Sequence, residues 1–567
     1  LPLDAFLFLQ RSDIAHFLAS RPAFGDLPLL FIDPGLVEEA VKAGIDPNRF
    51  SYRPLEVGRH FQADIATEAR ARAALIDQAL TRVRRRLFGD GAFQGWDAAG
   101  LWLFLVRALT AQRLGEVCDA QLPEGRIGVF RPTLPQRFYF DSFLATDLFV
   151  GCSRRFRVVD EYDRPQPELP TADTHCFDFA RVAALARAGG AGATAVVHIP
   201  TCYANQALFT EAIKARFPAV IDLPSPMWDI AVHRSAPMQV RLDQLPRDHL
   251  PAQAAAYRDE ARRSFEAALA PLVPGRAALQ QQAECLAAQS QLQAINHHGL
   301  LEALRGTRPH FVLSDHDTGS LGPLFSVAAA LQAPVTVLPH SAYPAFVLPH
   351  ALRVRVIERV GFDTRARTVL GEPVAIAPVA LGALPRPVER AAVQTVCLLV
   401  NTLHGQGLSY IDLAGLTRFH RRLSALCRTH GARLVVRLKP NAAGAMMAAS
   451  AFELPEDGLR QTLSRPLHEI AAEADLCITY GEPTTGGIEF LGAASYLLGA
   501  GRQHWPADQG TAPGFVANAV VECIDDEAAL AEVDTLLGSP AAFRACVALQ
   551  QARFGARLQA PQPVFTR

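Results

Sequence analysis

Lysine is nearly absent: of 55 basic residues only Lys42, Lys214 and Lys439 are lysines, and the rest are arginines. In so arginine-biased a chain each surviving lysine is a weak pointer to ammonium chemistry, because a compact point charge and a planar fork are not interchangeable. A charge excess is missing too, since 55 basic residues face 56 acidic ones for a formal net charge of −1. That balance argues against nucleic acid as the main partner, because a phosphate backbone is met by a basic surplus. The one strongly basic run, "RVRRR" at 82–86, reads as a solvated helix face. The ten cysteines include no CxxC pair and no His-rich partner cluster at zinc-ligand spacing. They read as buried thiols in a reducing compartment, with no metal centre expected. Long apolar runs are lacking as well: "AAGLWLFLV" stops at Arg107, far short of a membrane span, and no N-terminal signal-peptide pattern is visible. The expected location is cytoplasmic, with peripheral contact at the inner membrane surface compatible with the composition. No solenoid-period repeat or low-complexity segment occurs.

What is present is a long chain, 567 residues with half of them hydrophobic and a fifth charged, enough for two or three domains. Short β-rich runs alternate with helical stretches. "AFLFL", "LPLLFIDPG" and "RIGVFRPT" punctuate the first part, and "TAVVHIPT", "PAVIDLPS", "PHFVLSDHD", "APVTVLPHS" and "RVRVIE" the middle. A helical tract from Pro251 to Leu304 is interrupted at "LVPG", 272–275. A Pro-, Gly- and Ala-rich stretch at 371–393 reads as a linker. Beyond it the alternation restarts with "TVCLLVNTLHGQG", "ARLVVRLKPN", "ADLCITYGEPTTGG", "ASYLLGAG" and "AVVECID". This pattern predicts α/β architecture with parallel, doubly wound sheets, and a boundary near residue 390 divides a domain over 1–385 from one over 390–567. Ligands of such sheets lie at the carboxyl ends of the strands, so the chemistry is expected in the loops that follow them.

In the C-terminal part three loops carry suitable groups. "NTLHGQG" offers His404, Gly405 and Gly407 at a strand-to-helix turn suited to phosphate, though a plain tight turn has the same composition. "RLKPN" sets Arg437 and Lys439 on one side of a strand end, which suits a diphosphate as well as a surface ion pair. "YGEPTTGGIEF" places Glu482, Thr484 and Thr485 before a helix whose first turn holds Gly486, Gly487 and Glu489. Hydroxyls there bond either the helix's own N–H groups or a phosphate, and a first-turn carboxylate is favoured by the helix dipole in any protein. In the middle of the chain "LSDHDTGS" ends a strand with Asp315, His316 and Asp317, and "LPHSAYP" presents His340 and Ser341 after the next. A histidine beside an aspartate removes a hydroxyl proton, and an aspartate alternatively attacks an electrophilic carbon, so all four ionisable residues are catalytic candidates. A backbone-bonded structural histidine is the plainer reading of His340 taken alone.

The "KP" strand end, the helical "RPLHEIAAEADLCITY" leading into a Thr/Gly turn, and Glu489 just inside the next helix together resemble the GT-B class of nucleotide-sugar glycosyltransferases. The resemblance is architectural and strongest over 310–510. It implies two Rossmann-like domains facing across a cleft, the N-terminal one with helical insertions and acceptor-binding, the C-terminal one holding the donor. Carried over, it gives Glu489 to the ribose, Thr484, Thr485 and Gly486 to the phosphates, and Arg437 with Lys439 to the diphosphate or a sugar acid. It implies no cofactor and no metal. The retaining members' glutamate pair has seven residues between its members whereas Glu482 and Glu489 have six, so no catalytic role passes to Glu482. The implied activity is transfer from a nucleotide sugar, a CMP-linked acidic sugar such as Kdo or sialic acid being favoured and UDP or GDP sugars also fitting, to a glycan or lipid-linked acceptor in surface polysaccharide synthesis. A nucleotide-sugar 2-epimerase shares the architecture, and a non-catalytic assembly scaffold is the third reading.

Overall fold

The structure is a computed structural model. It describes residues 2–20, 26–53, 55–57, 61–88, 97–132, 144–163, 175–190, 193–199, 206–223, 239–241, 244–245, 252–273, 275–314, 321–338, 354–356, 365–367, 373–375, 386–400, 413–438, 449, 452–454, 456–480, 486–501, 521–522 and 525–559.

Three five-stranded parallel sheets follow one another along the chain. The first contains β1 (Ala5–Phe8), β2 (Leu29–Phe31), β3 (Phe50–Tyr52), β4 (Ile127–Pro132) and β5 (Phe156–Tyr162) in the order β3-β2-β1-β4-β5. After β6 (His175–Phe177) come β7 (Thr194–His198), β8 (Ala219–Asp222), β9 (Gln239–Arg241), β10 (Pro309–Ser314), β11 (Val335–Leu338) and β12 (Val354–Val356). Their second sheet runs β12-β11-β10-β7-β8, while β6 and β9 form a separate antiparallel pair. A short antiparallel ribbon, β13 (Arg365–Arg367) with β14 (Pro373–Ala375), precedes the third sheet. That sheet holds β15 (Thr395–Val400), β16 (Arg433–Leu438), β17 (Leu476–Tyr480), β18 (Tyr496–Ala500) and β19 (Val521–Glu522) in the order β16-β15-β17-β18-β19. The fold is thus mixed α/β and Rossmann-like. The span 1–385, read from the sequence as one Rossmann-like domain with helical insertions, contains two such sheets.

The runs that make central strands are apolar on both faces because helices cover both. In β15, "TVCLLV", every residue is buried. Val396, Leu398 and Val400 pack into one core, and Cys397 and Leu399 into the opposite one with Cys477, Phe490 and Leu491. The linker is anchored at its end. Buried Arg390 donates to Asp475 at 3.1 Å and to the carbonyls of Ala471 and Ala493, which stand near the ends of two short helices.

Between the first two sheets lies a helical layer. The named helices, in chain order, are α1 (Arg11–Ala19), α2 (Phe61–Phe88), α3 (Ala98–Gln121), α4 (Ala252–Leu269) and α5 (Arg276–Leu304). Helices α4 and α5 are separated where "LVPG" interrupts the pattern, and Gly275 there adopts φ +99°. The basic run on α2 departs from the expected solvated face. Arg82, Arg85 and Arg86 are exposed, but Arg84 is completely buried. Its guanidinium meets Asp97 at 2.5 Å, Asp77 at 2.9 Å and the Tyr257 hydroxyl at 3.1 Å, and Ser290 donates to the same Asp97. One cation therefore ties α2 to the start of α3, to α4 and to α5. The lysine signal dissolves at two of its three positions, because the exposed Lys42 and Lys214 ammonium groups pair with Glu38, itself buried, and with exposed Glu211 one turn away on their own helices. Lys439 lies outside the described residues. Among the described residues the cysteines are free thiols, and no helix is long and apolar enough to cross a membrane.

Candidate functional site

The three strands that precede the C-terminal candidate loops are neighbours in the third sheet. In chain order its strands run second, first, third, fourth, fifth, so the winding reverses between β15 and β17, the place where open α/β sheets hold ligands. Val400 pairs in register with Leu438 on one side and Tyr480 on the other, and Tyr480 with Ala500. Strands β15, β16 and β17, which precede "NTLHGQG", "KPN" and "GEPTTG" in the sequence, are adjacent and end at one level. Gly501, just past β18, takes φ +61° and lies so close to the Tyr480 ring that a Cβ there would overlap it, which packs this edge tightly. The remaining named helices are α6 (Leu413–Thr429), α7 (Glu456–Ser464), α8 (Leu467–Glu473) and α9 (Gly487–Gly492).

Of the donor-site candidates, Arg437, Gly486 and Glu489 are described. His404, Gly405, Lys439, Thr484 and Thr485 lie outside the described residues, as does Glu482. Arg437 stands one residue from the carboxyl end of β16, opposite Leu399 and on the face that carries Cys397, Phe490 and Leu491. Its side chain is buried, and Nη1 donates to the Thr462 carbonyl oxygen at 2.6 Å in the last turn of α7. No carboxylate pairs with it among the described residues. Burial accordingly draws its pKa below the usual arginine value, with the nearby Cys397 thiol opposing. A buried cation with only a carbonyl to answer it is a place that favours an anion. Glu489 is half-buried on α9, which is seated on the same face by Phe490 and Leu491. Its backbone N–H donates to Gly486 at 3.1 Å, and its carbonyl accepts from Ala493.

The second sheet does the same for the catalytic candidates. Leu313 of β10 pairs with His198 of β7, and Ser314 with Leu338 of β11. The segments bearing Asp315, His316 and Asp317 and, one residue further on, His340 thus start from neighbouring strand ends. All four residues lie outside the described residues.

The first sheet holds a constellation that sequence reasoning missed. Asp13, in the first turn of α1, accepts from the Leu9 and Gln10 N–H groups, each at 3.0 Å, and from the Tyr162 hydroxyl at 2.7 Å. Tyr162 closes β5, and its hydroxyl is 2.7 Å from Ser12 Oγ. His16 bonds Asp160 at 3.0 Å and stacks on the Tyr162 ring at 4.6 Å. Burial raises the Asp13 carboxyl to about 6 against these lowering hydrogen bonds. "QRSD" before an apolar helical run was the available signal, but only for a helix start. Nothing local joins it to a tyrosine some 150 residues away.

No protein-family model matches the chain, and no curated protein matches it. Part of it is similar to a solved structure titled "Crystal structure of GtfA/B complex", at 13% identity and a TM-score of 0.29. The match covers 47% of this chain and 58% of that one, so it spans little more than half the length of the structure it resembles, and the likeness is too slight to bear on activity.

Proposed function

We propose that the protein is a metal-independent glycosyltransferase of the GT-B kind, in which the second and third sheets belong to the two Rossmann-like bodies that face across a cleft. It takes a sugar from a nucleotide donor, a CMP-linked acidic sugar in the favoured case, to a glycan or lipid-linked acceptor of a surface polysaccharide, working in the cytoplasm or at the inner membrane surface. The observation that carries this reading is the winding reversal of the third sheet. There β15, β16 and β17 end in register, and buried Arg437, with no carboxylate partner among the described residues, stands on the same face as the helix that bears Glu489. Arg437 and Lys439 take the diphosphate or the sugar carboxylate, Thr484, Thr485, Gly486, His404 and Gly405 the phosphates, and Glu489 the ribose hydroxyls. From the second sheet, Asp315 or Asp317, with His316 or His340, removes the acceptor proton.

Calorimetric titration with CMP, UDP and GDP tests this directly. One nucleotide is expected to bind, and Glu489→Ala and Arg437→Met are each expected to weaken it roughly tenfold or more, the order of one lost charge-assisted hydrogen bond. Absence of binding by all three nucleotides would overturn the reading. Release of free nucleotide only with acceptor present separates a transferase from a 2-epimerase, which converts the nucleotide sugar alone.

A further inference from the structure

The Ser12, Tyr162 and Asp13 oxygens at the carboxyl edge of the first sheet have a fixed hydrogen-bond direction. An ionised carboxylate only accepts, and tyrosine has one hydroxyl hydrogen, which goes to Asp13 Oδ1. Across the 2.7 Å to Tyr162, Ser12 must therefore be the donor. Every proton in the chain points inward, and the lone pairs of half-buried Ser12 are left facing outward, while Tyr162 and Asp13 are buried. Capping α1 accounts for Asp13 Oδ2, which takes the two backbone N–H groups. It does not account for a second carboxylate oxygen sealed against a tyrosine whose hydroxyl carries a serine.

We propose that Ser12, Tyr162 and Asp13 form a proton relay that makes Ser12 a nucleophilic hydroxyl for an activated acyl ester. Ser12 Oγ bonds the acyl carbon as its hydrogen passes to Tyr162 Oη and the Tyr162 hydrogen to Asp13 Oδ1. The proton returns from Asp13 to Tyr162 Oη as the tyrosine gives its own hydrogen to the leaving alkoxide; water then attacks the acyl carbon while its proton passes to Tyr162 Oη and the Tyr162 hydrogen to Asp13 Oδ1, and that proton returns through Tyr162 to Ser12 Oγ as the acid leaves. The sink is well matched: a carboxyl brought to about 6 by burial is ionised at neutral pH yet accepts a proton readily. His16 on α1 and Asp160 on β5 are the other titratable groups of the cluster, and the His16 ring fixes the tyrosine by stacking on it. Arg11 is occupied with Glu39. The relay is independent of the nucleotide reading, which stands or falls on the third sheet.

Diisopropyl fluorophosphate is the probe, its phosphorus taking the place of the acyl carbon, with fluoride leaving and the proton resting on Asp13. Peptide mass spectrometry of the intact protein treated at pH 7.5 is expected to find the diisopropylphosphoryl group on Ser12, at a rate that rises with pH through about 6. The rate should fall about tenfold or more in Tyr162→Phe and Asp13→Asn, on the scale of lost general-base assistance, and labelling should vanish in Ser12→Ala. Tyr162→Phe keeps the ring against His16 and decides the matter if Asp13→Asn fails to fold. An unlabelled Ser12 in the wild type, or an unchanged rate in Tyr162→Phe, would overturn the relay.

Discussion

Replacing Arg84 by methionine is expected to destabilise the helical layer by about 3–5 kcal/mol, read as a lowered urea midpoint, because it leaves two carboxylates buried without their cation. Asp77 and Asp97 are 2% and 1% exposed, and both point at the guanidinium, so neither can be rescued by water in place. Among the described contacts that stay behind, Ser290 reaches Asp97, and Thr81 and the Asp97 N–H reach Asp77, each a neutral partner for a full charge. Methionine fills the volume of the arginine stem, so the loss measures the charge and not a cavity. Adding Asp77→Asn and Asp97→Asn to Arg84→Met should therefore recover a large part of the loss. Equal midpoints for the single and triple variants would show that packing, and not the uncompensated charge, is what Arg84 supplies.

The same arginine shows where sequence was legible and where it was not. The alternation that places β15, β16 and β17 is written in local composition, since strands buried on both faces must be continuously apolar, and "TVCLLV" and "LCITY" are. The break between α4 and α5 was equally local, a proline and a glycine inside a helical tract. Arg84 was hidden because an arginine run is a solvated face unless distant carboxylates converge on it, and Asp97 and Tyr257 come from other helices. The first sheet escaped recognition as a unit of its own for a different reason. β3 is three residues long, and β5, "FRVVDEY", is an edge strand with several exposed positions, so neither carries the apolar run that marks a central strand. The ends of β15, β16 and β17 were legible from composition, and the structure adds the register that brings them to a common level. The Ser12, Tyr162 and Asp13 contacts depend on that unrecognised edge strand, and the local "QRSD" marks only a helix start.

Acidification should unfold this protein from more than one place, with one group opposing. His420 on α6 is 4% exposed, packs its ring against Phe452 at 4.8 Å, and has no hydrogen-bond partner for Nδ1 among the described residues. Burial lowers its pKa to about 4, with Arg421 and Arg428 assisting and Glu453 opposing. His297 on α5, beside His298 and Arg84, is lowered to about 3, again chiefly by burial. Each binds a proton more weakly folded than unfolded. Their stabilising contribution is complete above the unfolded value of 6.5 and is lost as pH falls through the folded values. The loss is roughly 3 kcal/mol for His420 and up to about 5 for His297. Asp13 has the opposite sign. Its folded pKa of about 6 exceeds the ordinary 3.8, so it favours the folded state below 3.8, and that contribution disappears as pH rises through 6. Its share, about 3 kcal/mol, belongs to the first sheet, whereas the histidines load the helical layer and the third sheet. Between pH 6.5 and 4, hydrogen exchange should therefore accelerate in α5 and α6 while the segment around β1 and α1 holds or gains protection. His420→Phe, which keeps an aromatic ring against Phe452, should remove most of the acid sensitivity of α6 and leave that of α5 intact. A uniform acceleration across all three sheets, or an unchanged α6 response in His420→Phe, would show that the acid lability lies elsewhere.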